Sequence, residues 1–317
     1  MQLALKVDVD TLRGTLQGLP PLLRLLDLRK VRATFLFSLG PDHTGRALRR
    51  AFRPGFIGKV RRTSVLQHYG LKTLLYGTLL PGPDIGRRGA ALMRSVRDAG
   101  HEVGIHTYDH VRWQDGVASA DAAWTAREMH RAAQRFAEIF GAPATVHGAA
   151  GWQMNEHAFR LLDAMHFRYA SDTRGSEPFI PLIGELAMHC PQLPTTLPTL
   201  DELVGRDDLP ETDVVKHLLA LSARTAPTGH VYTLHCELEG MAYAPLFDRL
   251  LRGWQALGYE AGRLADSFER LKTADLPQCR VIQGSVDGRS GRLAVQQASN
   301  NVYNLTSAVP AGGVPPT

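Results

Sequence analysis

Short apolar runs recur along the chain, and several of them run straight into an acidic or imidazole side chain. Residues 3–9, 33–38, 101–105, 168–170, 186–189 and 230–235 read as strands, each a brief apolar stretch bounded by turn or polar residues. Between them, apolar positions return with the helical period over 19–28, 86–99, 120–140, 213–222, 245–257 and 264–273. Pro20 and Pro21 suit the opening turn of the first helix, and Gly100 and Gly141 suit the caps that end the next two. Repeated β-α units predict an α/β fold, and chemistry-bearing residues at the carboxyl ends of the strands predict a β/α barrel. No internal repeat is visible.

The first strand carries Asp8 and leads directly to Asp10, a D-x-D pair. A carboxylate at the end of an apolar strand needs a partner, because burying its charge alone is costly. The strand ending at Ile105 runs into His106-Thr107-Tyr108-Asp109-His110. Imidazoles four residues apart would project to one side of a helical turn. Two imidazoles and a carboxylate from a neighbouring strand end make a three-ligand metal set. Such a set keeps positions open for water and substrate, which separates a catalytic site from a closed structural one. The spare carboxylate of the pair could then act as a base. A third strand ends at His235, outside the ligand spacing, which suits a general acid. The stretch Tyr169-Ala170-Ser171-Asp172-Thr173-Arg174-Gly175 adds Asp172, a carboxylate that could orient His235, and Arg174, a cation that could hold an anion or a carboxylate. A lone D-x-D is usually a loop and a lone H-x-x-x-H a surface helix pair; their joint presence with His235 makes one site the better reading.

Together these motifs resemble the NodB-type polysaccharide deacetylases, carbohydrate esterase family 4. Gly100-His101-Glu102-Val103-Gly104-Ile105-His106 is also similar to that family's G-H-E-[IV]-x-x-H strand. The resemblance implies a distorted seven-stranded barrel. It implies Asp8 as base, Asp10, His106 and His110 as ligands of a divalent metal ion, and His235 as acid. Zinc is the expected metal, with manganese, cobalt or iron as alternatives. The stretches around Val31–Asp42, Ala149–Trp152, Ser171–Gly175, Leu197–Asp207 and Glu237–Tyr243 narrow the match. They resemble members that deformylate 4-deoxy-4-formamido-L-arabinose on undecaprenyl phosphate, a step of lipid A modification and polymyxin resistance. One departure stands out: the family's third motif carries an Arg that orients the base, whereas His147-Gly148-Ala149-Ala150-Gly151-Trp152 has none. Arg174 is the candidate to restrain Asp8 instead.

Weaker substrate contacts can be assigned by residue type. Trp113 and Trp152 could stack on a sugar, and Arg206 with Arg174 could contact a phosphodiester. Glu237 and Glu239, with Tyr243 close behind, could flank the mouth and bind an emerging ammonium group. Other functions remain open. They are a deacetylase of peptidoglycan or chitin-like sugars, a hydrolase of a small soluble amide, and a non-catalytic lipid-sugar binder.

Composition adds three points. The 317 residues carry a net charge of +5, and all of that excess lies in one place. Residues 43–83 contain no Asp or Glu but hold Arg46, Arg49, Arg50, Arg53, Lys59, Arg61, Arg62 and Lys72, interleaved with apolar side chains. A basic, apolar-striped insertion suits an anionic bilayer surface, and no nucleic-acid motif accompanies it. No apolar run reaches the ~18 to 20 residues that span a bilayer, and a cleaved leader would remove Asp8. The expected location is therefore peripheral, on the cytoplasmic face of the inner membrane. Cys190, Cys236 and Cys279 are odd in number and form no C-x-x-C, which predicts reduced thiols; Cys236 reads as a packed neighbour of His235 rather than a nucleophile. The catalytic domain is expected to span 1–273, and the Gly-, Ser-, Asn- and Pro-rich stretch 274–317 to be a largely disordered tail.

Overall fold

The computed structural model describes residues 1–47, 71–224, 226–289 and 291–297. The chain opens with β1 (Gln2–Val9), α1 (Leu19–Leu28) and β2 (Thr34–Ser38), then α2 (Ile85–Asp98) and β3 (Glu102–Thr107). There follow α3 (His110–Gly116), α4 (Ala122–Phe140), β4 (Val146–His147), α5 (Glu156–Ala164) and β5 (Tyr169–Ala170). The second half holds β6 (Ile180–Ile183), β7 (Leu186–Ala187), α6 (Leu200–Leu203), α7 (Glu211–Ser222) and β8 (His230–His235). It ends with α8 (Ala244–Ala256), β9 (Glu260–Gly262), α9 (Leu264–Phe268), β10 (Gln278–Gly284) and β11 (Leu293–Gln296).

Seven parallel strands form one curled sheet in the order β5-β4-β3-β2-β1-β8, with β9 also on β1. β2 pairs with Lys6–Val9 and β9 with Gln2–Ala4, so β1 is divided between them along its length. The seven-stranded barrel expected from the sequence is therefore present as an α/β fold. The gap between β5 and β8 is spanned by an extended segment rather than by a strand pair. Leu193 donates its N–H to Ala170, Thr195 to Thr173 and Thr196 to Val231. This is the distortion.

Strand alternation sorts the side chains into two cores. Leu3, Leu5, Val7 and Val9 of β1, Phe35 and Phe37 of β2, and Tyr232 and Leu234 of β8 face the helices and join the large apolar cluster. Ala4, Leu36, Val146, Tyr169, Leu193, Val231 and Leu264 fill the barrel interior. Burial on both faces explains why these strands read as nearly continuous apolar runs. Helix ends follow local chemistry. Asp84, Asp121 and Asn155 each accept a backbone N–H as N-cap of α2, α4 and α5, and Gly141 ends α4 at φ 74°.

The structure corrects two expectations. Residues beyond 273 are not all tail: β10 pairs in parallel with β6, and β11 lies antiparallel to β10. Leu293, Ala294 and Val295 are buried, and the Gln296 side chain accepts the backbone N–H of Ser176 at 2.9 Å. The polar composition misled because these are short strands of a small second sheet, anchored by only a few apolar side chains. The helix expected over 264–273 also stops early, at Phe268. Most of the basic insertion, residues 48–70, lies outside the described residues, as do 298–317.

Candidate metal centre and hydrolytic site

Lys6, Asp8 and, one step past the strand end, Asp10 occupy alternate positions of β1 and share its inner face. All three are buried. His106 is near the end of β3, and His110 is the first residue of α3. The two imidazoles do not sit on one helical turn, as their spacing suggested. A strand end and a helix start bring them together, with ring centroids 5.3 Å apart. Between them Asp109 caps α3, accepting the Arg112 N–H at 3.1 Å and pairing with His43 at 2.6 Å.

One ligand atom each from Asp10, His106 and His110 fall within 4.8 Å of one another. His106 Nδ1 donates to the Gly148 carbonyl at 2.5 Å, so in the neutral ring the lone pair is on Nε2. That nitrogen lies 3.2 Å from Asp10 Oδ1, and His110 Nε2 lies 3.4 Å from Asp10 Oδ2. Asp10 Oδ1 is buried without a hydrogen-bond donor. Acceptors converging on a buried carboxylate are what a cation-binding site looks like, and this donor set fits a divalent ion. Burial would raise the Asp10 pKa, but His110 and His106 outweigh it and hold the carboxyl far below its usual range. Burial likewise pushes His106 down, while Asp8 and Asp10 outweigh it and raise its pKa.

Asp8 is restrained by Lys6, not by Arg174. Lys6 Nζ lies 3.3 Å from Asp8 Oδ2 and 5.0 Å from the centre of the Trp152 ring. Arg174 is also buried, but its guanidinium donates to Glu202 Oε1 at 2.6 Å and to the Leu197 carbonyl at 3.1 Å. Strand pairing puts Asp8 of β1 beside His235 of β8. The carboxylate facing His235 is not Asp172. Asp172 Oδ1 accepts from His147 Nδ1 at 2.7 Å and from the Ala149 N–H at 2.8 Å, which anchors the loop carrying Gly148. Asp201, on α6, has Oδ1 3.6 Å from His235 Nδ1.

The expected sugar and phosphate contacts are largely structural. Trp113 and Trp152 are buried and donate their indole N–H groups to the Gln153 carbonyl and to Thr195 Oγ1. Arg206 makes a two-pronged contact with Asp208, at 2.9 and 2.8 Å. Glu237 Oε1 accepts the N–H groups of Asp10 and Thr11 and the Thr11 hydroxyl, so it fixes the ligand loop from beneath. Glu239 accepts the His235 N–H at 2.9 Å and the Tyr232 hydroxyl at 3.1 Å. Both carboxyls are buried, and burial raises each pKa to about 8, with nearby Asp10 adding to the rise in Glu237 and Asp201 to that in Glu239. Tyr243 is buried beside Asp201 and Glu239, and its phenol is pushed up to about 12, chiefly by burial and then by Glu211 and Asp201. Cys236 is buried, and burial lifts its thiol well above the usual range.

Lys6, Asp201, Glu202 and Arg289 were not among the sequence-derived site residues. The period-2 face shared with Asp8 and Asp10 was the available signal for Lys6. Asp201 and Glu202 stood inside the Leu197–Asp207 stretch, but nothing in it distinguished their contacts.

Comparison with known proteins agrees with this geometry. The polysaccharide deacetylase family profile matches residues 13–170. A protein of Shewanella sediminis (strain HAW-EB3), named "Probable 4-deoxy-4-formamido-L-arabinose-phosphoundecaprenol deformylase ArnD", is 35% identical over 301 residues, covering 95% of this chain and 96% of the relative. A protein of the same name from Wigglesworthia glossinidia brevipalpis is 31% identical over 287 residues, covering 90% and 98%. The fold resembles a structure titled "Crystal structure of putative polysaccharide deacetylase from Mycobacterium smegmatis", with TM-score 0.61 and 17% identity over 90% of this chain and 94% of the other. The chain belongs to the polysaccharide deacetylase family. It is a hydrolase acting on amide C–N bonds, and both curated relatives support a deformylase role.

Two outcomes follow from the buried charges. Lys6→Met should destabilise the protein by about 3–5 kcal/mol, because it strands the Asp8 carboxylate in the interior. Adding Asp8→Asn should recover most of that loss. Thermal or urea unfolding of the single and double variants checks it, and strictly additive losses would show that the two side chains do not interact. The second concerns pH. The folded pKa of Glu239, about 8, lies above its ordinary value of 4.5, so the native state binds the extra proton between those values. Its contribution is complete below pH ~4.5 and is lost as pH rises through ~8. Wild-type melting temperature should fall over that window, and the fall should shrink in Glu239→Gln.

Proposed function

We propose that this enzyme hydrolyses the formamide of 4-deoxy-4-formamido-L-arabinose carried on undecaprenyl phosphate, giving the 4-amino sugar lipid and formate. The observation that carries the reading is 35% identity over 95% of the chain to a relative bearing that activity in its name. The strand-end constellation of Asp8, Asp10, His106, His110 and His235 is what the reaction needs.

The residues divide the work. Asp10, His106 and His110 would hold a divalent ion, with zinc expected first and manganese, cobalt or iron as alternatives for these donors, which when bound supplies Lewis acidity toward the amide oxygen and lowers the pKa of water. Asp8, held by Lys6, takes the proton of the attacking water as the new C–O bond forms at the formyl carbon. His235 protonates the sugar nitrogen as the C–N bond breaks, so the nitrogen leaves as an amine and the formyl carbon as formate. Asp201 occupies the Nδ1 side of the ring, which leaves Nε2 to the substrate. Glu237 holds the Asp10 and Thr11 backbone beneath the proposed metal ligand, and Glu239 holds the His235 backbone at the end of β8.

A substrate that resides in a bilayer fits the basic insertion. In this reading residues 43–83 rest on the anionic cytoplasmic leaflet, each Lys or Arg near the surface contributing ~1 kcal/mol of attraction. No helix among the described residues is long and apolar enough to cross a membrane.

Formate release should be measured from the lipid-linked formamido sugar beside N-acetylated glycans and small soluble amides. The expected result is turnover of the first alone. Asp8→Asn and His235→Ala should keep bound metal yet lose roughly 10²- to 10⁴-fold in rate. Metal loss in His235→Ala would make it a ligand rather than an acid, and preferential turnover of N-acetyl glycans would replace the deformylase reading. For the membrane part, reversing Arg49, Arg50, Arg61 and Arg62 to Glu should release the protein from anionic vesicles in flotation. It should also impair the long-chain substrate more than a short soluble analogue. Unchanged flotation would rule the docking role out.

A further inference from the structure

The acid side of the site is completed by a part of the chain far from the family motifs. Gly288 and Arg289, which follow β10, lie against α6. At Gly288 φ is 80° and a Cβ would stand 2.5 Å from the Glu202 carbonyl oxygen. Only glycine fits such an approach in that conformation. The next residue, Arg289, points inward. Its Nε donates to Glu202 Oε1 at 2.8 Å, and its Nη2 lies 3.3 Å from both Thr199 Oγ1 and Asp201 Oδ1. The guanidinium sits 4.6 Å from the centre of the Trp152 ring, which fixes its plane. Thr199 Oγ1 also donates to Asp201 Oδ1, at 2.5 Å. That same oxygen faces His235 Nδ1.

We propose that Arg289 is a positioning residue for the general acid: bridging Asp201 and Glu202, it fixes the Asp201 carboxylate so that Oδ1 faces His235. The inference rests on His235 being the acid. Two adjacent carboxylates, Asp201 and Glu202, meet two arginines here, Arg174 and Arg289. Of the two carboxylates, Arg174 pairs with Glu202 in the contacts described, whereas Arg289 reaches both, so Arg289 is the cation that ties the pair together. A planar fork spanning two acceptors fixes direction as well as charge, which an ammonium group does not. A misdirected Asp201 would leave the imidazole free to rotate, at a cost to proton transfer but not to substrate binding.

The test uses the full chain with metal bound. Arg289→Ala should lower kcat about 10- to 100-fold, leave KM within about twofold and leave metal content unchanged. Arg289→Lys should recover part of the loss, and added guanidinium ion should rescue Arg289→Ala but not Asp201→Asn. The double variant Arg289→Ala/Asp201→Asn should be no slower than Asp201→Asn, since both act through one carboxylate. Arg292→Ala, in the same segment but bonded to the Gln283 carbonyl, should match wild type. Should Arg289→Ala fail to fold, Arg289→Gln is read by the same criteria. Wild-type kcat in the Arg289 variant, losses that multiply with Asp201→Asn, or an equal loss in Arg292→Ala would each overturn the inference. His235→Ala separates the two levels. If it stays active, the acid assignment fails; if it is inactive while Arg289→Ala is fully active, this inference alone fails.

Discussion

A row of three ionisable groups on the inner face of one buried strand governs this molecule. Lys6, Asp8 and Asp10 are removed from water, and burying unpaired charge costs several kcal/mol per ion. The surroundings answer each charge separately. Lys6 neutralises Asp8, the two imidazoles converge on Asp10, and Glu237 beneath Asp10 is kept protonated near neutral pH by burial and by that same carboxylate. The acceptor atoms of Asp10, His106 and His110 converge at one place, and the donor geometry there fits a cation.

The same row explains the departure from the family pattern. A base held by an arginine from a distant loop depends on two elements keeping their relative place. Asp8, the proposed base, is held by the lysine two residues earlier and depends only on the pleat of one strand, which sets the spacing of alternate side chains. Arg174 pairs instead with Glu202, beside Asp201 on the His235 side. The third-motif loop still contributes, but through a backbone atom: the Gly148 carbonyl fixes the His106 tautomer, and Asp172 with His147 fixes the loop.

Legibility in the sequence follows from how local each determinant is. β1, β2, β3 and β8 were readable because both faces are buried and the apolar runs are nearly unbroken; β4, with only two residues, and β9, whose side chains are partly exposed, were not. The metal-ligand candidates were readable because they fall at strand ends with short, fixed spacing. The partners of Asp8 and His235 were not, since charge and motif order do not say which carboxylate meets which cation. Arg174 and Asp172 had the right chemistry and the wrong neighbours. Trp152 read as a sugar platform because an indole's exposure cannot be seen in one sequence; in the fold it is the shared wall between Lys6, Arg174 and Arg289. The last strands escaped because their burial is supplied by β6 and the loop at Arg174, about a hundred residues away in the chain.

The two halves of the site are built differently. On the side of the candidate metal centre, Asp10, His106 and His110 sit at the ends of β1 and β3 and the start of α3, within one hydrogen-bonded sheet and its first connection. On the side of His235, the proposed acid, only that residue itself lies on a sheet strand. Its carboxylate comes from α6, a single helical turn held by a capping box, and that turn is clamped by Arg174 from one direction and Arg289 from the other. This asymmetry has a structural origin. The sheet does not close between β5 and β8, and the segment that spans the gap runs directly into α6. A barrel closed by strand pairing would have fixed that region through its backbone. Here side-chain ion pairs do it, and one of them is delivered by the end of the chain. The open seam therefore makes the His235 half the part of the candidate site most dependent on the second sheet.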